Sequence, residues 1–388
     1  MIDVKSKVYR LDELCDIKSG KRIPKEMDFV TFETEHPYIR ARDIKEGKIN
    51  TDDLIYLEDN VFQKIKRYII NSGDIAITIV GSVGDTGYAS KNVDGYNLTE
   101  NAVRLTNYKN NVDSKFLHYV LAQKQYHDYM QLIAGATVQP KLGIYKVKRI
   151  KVELPDLKKQ KKIANILSDY DNLIENNNKR IFLLEQMAEN LYKEWFVRFR
   201  FPGNEDVEFE NGIPNGWAVE KVKKCVNRLP FNQLYKQNDL ENEGSVIVID
   251  QSSSDFLGFH NNEPSHYASI EKPIIVFGDH SCKFVLMIRD FSLSENVVPF
   301  ISFDENVLDN YYLYYAVHKL IATEEYKRHW GRFTAMKIFI PQYHLQKDFS
   351  DIVKPMLEEK QKLWNENQLL IKQRDMLLPR LMSGKLEV

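Results

Sequence analysis

The sequence predicts an α+β protein built as a tandem repeat: two similar globular domains, each followed by a long helix, with the two helices pairing as an antiparallel coiled coil. The first observation is internal similarity, because "NLTENAVRL" (97–105) returns as "SLSENVVPF" (292–300) and "IKVELPDLKKQKKIANIL" (150–167) resembles "MKIFIPQYHLQKDFSDIV" (336–353). The second is that short β-branched runs separated by turn residues precede segment 150–167 and segment 336–353. The third is a helical stripe of apolar residues that follows each of them.

Length and composition set the limits of this interpretation. A chain of 388 residues with 43% hydrophobic content can bury more than one core, so we expect two or three domains. The formal net charge of -1 excludes a protein that coats nucleic acid or membrane by bulk charge, and leaves local patches as the means of binding. Three cysteines without a CxxC pair exclude a disulfide framework and a structural zinc site. Together with the lack of a long apolar run, they predict a cytoplasmic protein that does not enter a membrane.

Residues 1–155 are expected to form the first domain and residues 201–340 the second. Strand-like runs are "YIRARDI" and "DIAITIV" in the first domain, and "SVIVID" and "PIIVFGD" in the second. Between the domains, "RFRFPGNEDVEFENGIPNGW" contains two prolines, three glycines and a group of acids, a composition unsuited to a packed element. The central coiled-coil helix is expected within 156–200, and the distal helix with the C-terminal tail within 341–388.

The two helical stripes alternate steps of four and three residues. This spacing averages 3.5 residues, the period that keeps one seam facing a partner helix over many turns. On the central helix the predicted seam consists of Ile163, Leu167, Tyr170, Ile174, Asn177, Ile181, Leu184 and Leu191. On the distal helix it consists of Phe349, Val353, Met356, Leu363, Asn367, Leu370, Leu377 and Leu381.

An antiparallel register follows from aligning the two stripes end to end. It sets Asn177 against Asn367 and Tyr170 against Arg374. A buried pair of asparagines would penalise slipped registers, and the alternative is that both amides reach solvent. Lys360 and Arg374 also fall on the distal stripe, which favours a helix that packs partly against another protein.

Each repeat carries a basic patch where the domain meets its helix. Residues 141–162 hold nine basic residues against two acids, and residues 327–347 hold five, including Lys327, and no acid. Phosphate neutralisation is a sensible use for such patches, and a solvated surface is the alternative. The predicted phosphate contacts are Lys141, Lys146, Lys148, Arg149 and Lys151 in the first repeat, and Arg332 and Lys337 in the second.

Base edges are read by Arg or Lys on guanine and by Asn or Gln on adenine. Side chains of these types occur in "KSGKRIPK", "YIRARD" and "FNQLYK". The predicted base-reading residues of the first domain are Lys21, Arg22, Arg40, Arg42, Thr137 and Gln139. Those of the second domain are Asn232, Gln233, Tyr235 and Lys236.

Signatures of catalysis are missing from the sequence. There is no Pro-Pro dipeptide, which excludes the Asn/Asp-Pro-Pro-aromatic motif of amino-methyltransferases, and no Walker, HExxH or GxSxG motif. "GSVGDTG" (81–87) lacks the GxGxxG spacing, so it predicts a tight strand turn. The acid pairs Asp169 with Asp171 and Asp52 with Asp53 are expected to be solvated surface. We therefore predict no catalytic residue, no metal site and no cofactor in this chain.

The quoted elements, together with "LYKEWFVRF", "GIPNGW" and the C-terminal "LLPRLMSGKLEV", resemble the specificity (S) subunits of type I restriction-modification systems over nearly the whole length. The resemblance implies two target-recognition domains that each read one half of a split, asymmetric DNA site, with the helices fixing the gap. It implies a non-catalytic subunit that recruits two methyltransferase subunits, which use S-adenosylmethionine to methylate adenine at N6. In the full complex it implies two restriction subunits that use ATP and magnesium. The second domain departs from the pattern, because it lacks a counterpart of "GATVQPKLG" and has "FGDHSCKF" in place of "VGSVGDTG".

Two other functions remain open from the residues alone. One is an enzyme that modifies DNA without partners, which would need a catalytic constellation. The other is a coiled-coil protein that bridges other proteins and has no affinity for DNA. Salt dependence separates the latter from a DNA-binding subunit, because phosphate contacts weaken as salt rises.

Overall fold

The computed structural model describes residues 6–135, 140–252, 254–322, 328–382 and 385–386. The chain divides into two compact units: unit 1 is Met1–Ile174 with Leu369–Val388, and unit 2 is Glu175–Gln368. Each unit thus holds one globular domain and a part of both long helices. The four segments expected from the sequence are consecutive along the chain, whereas each unit combines residues from more than one of them. The boundaries of these segments therefore stay a prediction.

Unit 1 is built from short strands and helices. Its strands are β1 (Lys7–Arg10), β2 (Asp16–Ser19), β3 (Pro37–Ile39), β4 (Ile44–Lys45), β5 (Lys48–Ile49), β6 (Ile55–Tyr56), β7 (Ile75–Thr78), β8 (Thr86–Tyr88), β9 (Asn97–Leu98), β10 (Ala102–Thr106) and β11 (Lys151–Leu154). Its helices are α1 (Leu11–Leu14), α2 (Asp59–Ile65), α3 (Ser114–Leu121), α4 (Lys124–Ala134), α5 (Ile144–Lys148) and the first half of α6 (Leu157–Tyr192). Single 3-10 turns occur at Ala41–Asp43 and Lys91–Val93.

The main sheet of unit 1 is four-stranded and antiparallel, in the order β2-β10-β7-β8. A mixed sheet, β6-β3-β9, contains a parallel pair between β3 and β9, and β1 pairs with β11 as a separate ribbon. Strands β7 and β10 are buried along their whole length, which explains their run of β-branched and apolar residues. Helix α3 is capped by Asp113, the residue before it, whose carboxylate accepts a hydrogen bond from the Phe116 amide.

Unit 2 repeats this arrangement with different residues. Its strands are β12 (Phe209–Glu210), β13 (Ile213–Pro214), β14 (Ala218–Lys221), β15 (Val226–Arg228), β16 (Val246–Ile249), β17 (Gly258–His260), β18 (Ile274–Gly278), β19 (Phe284–Met287), β20 (Phe291–Leu293), β21 (Val297–Ser302) and β22 (Lys337–Ile340). Its helices are α7 (Val222–Cys225), α8 (Asn310–Val317), α9 (Trp330–Ala335), α10 (Tyr343–Met382) in its first part, and the end of α6, which continues into a π-turn at Lys193–Val197. Single 3-10 turns occur at Asn204–Asp206 and Gln237–Asp239.

The sheets of unit 2 have the order found in unit 1. The four-stranded sheet is β15-β21-β18-β19, the mixed sheet is β17-β16-β20 with β16 and β20 parallel, and the ribbon is β14-β22. The predicted tandem repeat is therefore confirmed at the level of strand order. Helix α8 is preceded by Asp309, whose carboxylate accepts hydrogen bonds from the amides of Tyr311 and Tyr312, as Asp113 caps α3.

A buried glutamine joins domain to helix in the same way in both repeats. In unit 1, Gln160 accepts from the Asp113 amide at 2.9 Å and donates to the carbonyls of Asn111 at 3.0 Å and Pro155 at 2.8 Å. In unit 2, Gln346 accepts from the Asp309 amide at 2.9 Å. It also donates to the carbonyls of two further residues, Val307 and Pro341, at 3.2 and 2.7 Å. Each glutamine satisfies three backbone groups that the junction removes from water.

Helices α6 and α10 have 36 and 40 residues, which corresponds to about 54 and 60 Å at 1.5 Å per residue. Every predicted seam residue is buried or partly buried. In unit 1 the buried Ile163 and Leu167 belong to the same apolar cluster as Leu381. In unit 2 Trp195 lies 6.3 Å from Phe349, ring centre to ring centre. Both contacts set the start of one helix against the end of the other.

The asparagine pair is present on the seam of unit 2. The Nδ2 of Asn177 donates to Oδ1 of Asn367 at 3.1 Å, and the two residues are only 5% and 4% exposed. The register that set Asn177 against Asn367 is therefore confirmed. Lys360 and Arg374 bond to α6 itself, so their place on the stripe does not require another protein.

Candidate nucleic-acid interface

The basic patch of unit 1 surrounds the ribbon of β1 and β11. Lys148 and Arg149 are exposed at the end of α5, and Lys151 is exposed at the start of β11, where it lies opposite Arg10 of β1. Several cations on one short stretch of surface create a positive potential without help from the net charge of the chain. This arrangement can hold phosphates.

Two other members of the unit 1 patch are placed differently. Lys141 is exposed and forms an isolated bridge with Val80. Lys146 is half-buried, and its Nζ donates to the carbonyl of Ile133 at the end of α4. Lys146 thus has a structural contact in addition to any contact with DNA.

The patch of unit 2 is sparser. Lys337 begins β22 and lies opposite Lys221 of β14, which repeats the pairing of Lys151 with Arg10. Arg332 is exposed on α9, with Nη1 donating to the carbonyl of Ala322 at 3.3 Å. The two patches therefore share one position, the ribbon, and differ around it.

The first base-reading group begins on the loop after β2. Lys21 and Arg22 are both exposed there. Arg22 Nε lies 3.1 Å from the carboxylate of Glu100, and Lys21 Nζ lies 5.8 Å from the ring centre of Tyr68. Exposed ion pairs of this kind are weak and exchange readily for contacts with a ligand.

Arg40 precedes the 3-10 turn Ala41–Asp43 and Arg42 lies within it, but the two side chains differ in exposure. Arg40 is 19% exposed, and its guanidinium donates to both carboxylate oxygens of Asp43 at 2.9 Å. Hydrogen bonding to Asp43 raises the pKa of Arg40, so its fork is fixed in place. Arg42 is 64% exposed and bonds the exposed carboxylate of Asp53 at 2.6 Å. Arg40 builds the turn, and Arg42 presents donors to solvent. The last two residues of this group, Thr137 and Gln139, lie outside the described residues, as does Lys327 of the second patch.

The second base-reading group forms a loop that is tied to its own domain. Asn232 has a left-handed φ of 50° and donates from Nδ2 to the carbonyl of Ser265 at 2.7 Å. The Ser265 hydroxyl donates in turn to the backbone carbonyl of Gln233 at 2.8 Å. The Gln233 side chain, which is exposed, takes no part in this bond. These bonds hold the loop in one shape before any ligand arrives.

Tyr235 and Lys236 of this loop point in different directions. Tyr235 is 3% exposed, and its ring stacks on His260 with 4.0 Å between ring centres and 9° between planes. The ring therefore packs inside the domain, where it positions the loop and does not face a base edge. Lys236 is exposed and lies 3.5 Å from Glu295.

One exposed cation was missed by the sequence reasoning. Arg228, at the end of β15, lies over the ring of Phe231 at 4.3 Å and near that of Trp330 at 5.9 Å. Phe231 is 36% exposed, so an Arg and an aromatic face stand together beside α9, the helix of Arg332. The signal in the sequence is the close spacing of a cation and an aromatic residue in "RLPF", a combination that suits stacking on nucleic-acid bases.

Metal chemistry has no support in the described ranges, where no group of three or more His, Cys, Asp or Glu side chains could hold an ion. In the same part of the chain, no helix combines the length and the hydropathy needed to cross a bilayer. The arrangement suits binding through cations, amides and an aromatic face.

Comparisons with known proteins show which proteins this chain is similar to. Residues 3–186 match a family model described as the type I restriction modification DNA specificity domain. The type I restriction enzyme MjaIX specificity subunit of Methanocaldococcus jannaschii is 27% identical over 316 residues, which cover 72% of this chain and 71% of the relative. The putative MjaX specificity subunit of the same organism is 26% identical over 384 residues, covering 91% of this chain and 88% of the relative.

A solved structure shares the fold. The crystal structure of the type I restriction-modification S subunit from M. genitalium aligns with a TM-score of 0.59 over 98% of this chain and 97% of that chain. Its sequence is 16% identical, so the likeness is one of architecture.

Proposed function

The chain belongs to the specificity subunits of type I restriction-modification systems, the DNA-recognition components of those systems, and we propose that its two domains each read one half of a bipartite, asymmetric DNA site. Its relatives are specificity subunits, and we infer that this chain is likewise non-catalytic, as the lack of catalytic motifs in the sequence predicts. The observation that carries the proposal is the duplicated fold with a basic ribbon at the same position in each repeat. Two similar domains present two similar surfaces, and different loops give them different base preferences.

Phosphate contacts would come first from the ribbons. Lys151 and Lys337 are equivalent residues, and each faces a second cation across the ribbon. Phosphate contacts fix the position of a protein on the duplex without carrying sequence information. The remaining proposed phosphate contacts are Lys141, Lys146, Lys148, Arg149 and Arg332.

Base readout would fall to the exposed members of the two loop groups. In the first domain these are Lys21, Arg22 and Arg42, and in the second Gln233 and Lys236. Arg and Lys favour guanine, and Gln favours adenine, in the major groove. Arg40, Asn232 and Tyr235 would act by holding their loops in shape, because their side chains already have partners inside the domain.

The helix pair would set the gap between the two half-sites. It would also recruit two methyltransferase subunits and, in the full complex, two restriction subunits. The chemistry belongs to those partners: S-adenosylmethionine supplies the methyl group for adenine N6, and ATP with magnesium serves restriction. Methylation requires the adenine to leave the base stack, and this chain would hold the register while the partner does so. A chain with these tasks would work in the cytoplasm, where the DNA is.

Docking of two partner copies would use equivalent exposed residues on the helices. Leu183 of α6 and Leu369 of α10 occupy the same position in the two repeats and are 54% and 60% exposed. Large exposed apolar residues at matched sites favour two copies of one partner. Leu183→Lys or Leu369→Lys should each reduce the captured methyltransferase from two copies to one, and the double variant should capture none. Gln186→Lys, on the exposed face of α6, is the control and should keep two copies.

The deciding experiment is to co-express this chain with the methyltransferase subunit encoded beside it and to map methylated adenines by single-molecule sequencing. A bipartite motif with a fixed gap would support the proposal. A stable complex without new methylation would refute it and favour a bridging protein. Methylation by the purified chain alone would favour a stand-alone enzyme.

Matched variants test the assignment of one domain to each half-site. Lys151→Ala should weaken binding to DNA carrying the first half-site alone, and Lys337→Ala should do so for the second. Each should reduce the slope of log affinity against log salt by about 0.9. Arg332→Ala should likewise weaken binding to DNA carrying the second half-site. Lys362→Ala, on the exposed face of α10, is the control and should leave both affinities unchanged. Equal losses on both half-sites would remove these residues from the proposed roles.

A further inference from the structure

The two long helices contact each other through three polar steps as well as through the apolar seam. On α6 the polar residues are Asp171, Asn178 and Glu185, and on α10 they are Arg374, Asn367 and Lys360. Each set advances by seven residues, and the two sets run in opposite directions. These six residues are called the pairing ladder below.

Each step of the pairing ladder is a direct bond. In unit 1, Arg374 Nη1 lies 2.7 Å from Oδ1 of Asp171. In unit 2, Asn367 Nδ2 donates to Oδ1 of Asn178 at 2.8 Å. The third step, also in unit 2, joins Lys360 Nζ to Oε1 of Glu185 at 2.5 Å. The charged residues of α6 in the ladder are acids and those of α10 are bases.

The pairing ladder distinguishes one register from its neighbours. The apolar stripe repeats every seven residues, so sliding α10 by one heptad would again set apolar residues against apolar residues. The same slip would place Leu381 opposite Asp171 and would leave Lys360 facing Tyr192. A slip by one heptad in the other direction would leave the carboxylate of Glu185 and the guanidinium of Arg374, at opposite ends of the ladder, without their partners. Asp171 and Arg374 are only 28% and 25% exposed, so a charge left there without its partner is costly, whereas Glu185 and Lys360, at 48% and 38% exposed, contribute less. Only the observed register satisfies all three steps.

The ladder also distinguishes α10 from a second copy of α6. The two helices are related by the internal repeat, so pairing of α6 with α6 from another molecule would preserve the apolar seam. In that pairing, however, Asp171 would face Ala188, Asn178 would face Ile181, and Glu185 would face Ile174. None of these apolar residues can bond the polar group opposite it.

Self-pairing of α10 fails for the same reason. Lys360 would face Ile371, and Arg374 would face Leu357. The central Asn367 would face Trp364. Each helix therefore carries polar groups that only the other type of helix satisfies.

We propose that the pairing ladder is a partner code, which makes α6 accept an α10-type helix in one register and reject a helix of its own type. The code is independent of the DNA sequence that the domains read. It addresses a hazard of internal duplication, since two similar repeats would otherwise associate with each other between molecules. A code of this kind predicts that changing the charges of the ladder alone can change which helix α6 or α10 pairs with.

The test uses two full-length variants with complementary changes. Variant A carries Asp171→Lys and Glu185→Lys, so both of its helices are basic along the ladder. Variant B carries Lys360→Glu and Arg374→Glu, so both of its helices are acidic there. Inside either variant the ladder is repulsive. Between A and B, however, α6 of each chain is complementary to α10 of the other.

Mixing tagged B with untagged A should yield a heterodimer, measured by affinity capture and by light scattering after size-exclusion chromatography. We expect at least tenfold more A captured by B than by tagged A. A single chain carrying all four changes should regain the mass and the thermal stability of the wild type. Lys179→Glu with Lys347→Glu is the control, because in the structure these lysines pair with acids on their own helices, and it should promote no exchange.

Two results would overturn the proposal. One is that A and B remain separate with wild-type stability, which would mean that the seam and the domain contacts alone choose the partner. The other is that the four-change chain is no more stable than A or B. If A and B fail to fold separately, the four-change chain decides: recovery of folding supports the code, and failure contradicts it.

Discussion

Truncation of Gln160 to alanine tests whether the junction between domain and helix depends on three hydrogen bonds. Gln160 is 1% exposed, and its amide serves the Asp113 N–H and the carbonyls of Asn111 and Pro155. In the Gln160→Ala variant the Asp113 N–H would lose its acceptor in a part-buried site. An unsatisfied buried group costs roughly 1–3 kcal/mol, and carbonyls that retain other partners cost less. We expect a loss of about 3 kcal/mol in the free energy of unfolding.

The loss should appear as a lower melting temperature. For a unit of about 190 residues, a change of 1 kcal/mol shifts the transition by roughly 2–4 °C, so a fall of about 6–12 °C is expected by differential scanning calorimetry. Gln346→Ala should give a fall of similar size, because Gln346 is 0% exposed and makes the equivalent three bonds in unit 2. Gln373→Ala, on the exposed face of α10, is the control and should stay within about 0.5 kcal/mol of the wild type.

The pair of variants also tests the internal repeat as a physical unit. If Gln160→Ala costs less than about 1 kcal/mol, water or a rearranged backbone replaces the glutamine, and the reasoning fails for unit 1. A large effect at Gln160 with none at Gln346 would show that the two junctions differ in strength in spite of their identical geometry. Similar losses would show that this contact stabilises the junction of domain and helix in both repeats.

Three further predictions concern buried polar groups. Burial lowers the pKa of His118 to about 4, so stability should be lost as pH falls from 6.5 toward 4. His118→Phe should be spared about 3 kcal/mol of that loss, as measured by urea titrations at the two pH values. Burial raises the pKa of Glu189, but hydrogen bonds from Lys193 and Lys319 outweigh it and lower the pKa to about 2; stability from this group should be lost below pH 4.5, and Glu189→Gln should unfold with less acid dependence. Asn177→Leu should cost about 1–2 kcal/mol by leaving the Asn367 carbonyl oxygen without its donor. Asn367→Leu also removes the bond from Asn367 to Asn178, so the double change should cost less than the sum of the two single losses in a double-mutant cycle, and additive losses would show that Asn177 and Asn367 are not coupled.

The features that the sequence predicted well depend on periodicity. The stripe of apolar residues identified both long helices, and the end-to-end alignment of the stripes placed Asn177 against Asn367, as the structure has them. Such patterns succeed because a helix seam is a local, repeated property of the chain. The likeness of the two halves likewise predicted a repeated fold, although no local pattern predicted the parallel pairing of β3 with β9 or of β16 with β20.

The directions of loop side chains were beyond prediction from the sequence. Tyr235 and Arg40 had the residue types expected for base contact, but a stack on His260 and a bidentate bond to Asp43 hold them inside their domains. His260 lies on β17, whose position depends on the tertiary fold, whereas Asp43 is three residues from Arg40 in the same turn and becomes its partner only when that turn forms. Residue type defines what a side chain can bind, and only the fold decides whether it is free to do so.

Duplication gives this protein two equivalent recognition frames, and the differences between the repeats give it asymmetry. The loop after β2 exposes the cations Lys21 and Arg22, whereas β15 ends with Arg228, which stacks on Phe231 of the loop that follows. Domains that share a strand order but carry unlike loops should read unlike half-sites, which a symmetric pair of identical repeats could not do. Reading an asymmetric site therefore requires the first repeat to pair with the second repeat, and not with the same repeat of another molecule. The opposite charges of α6 and α10 along the pairing ladder supply that condition, because they are satisfied only when unlike helices meet.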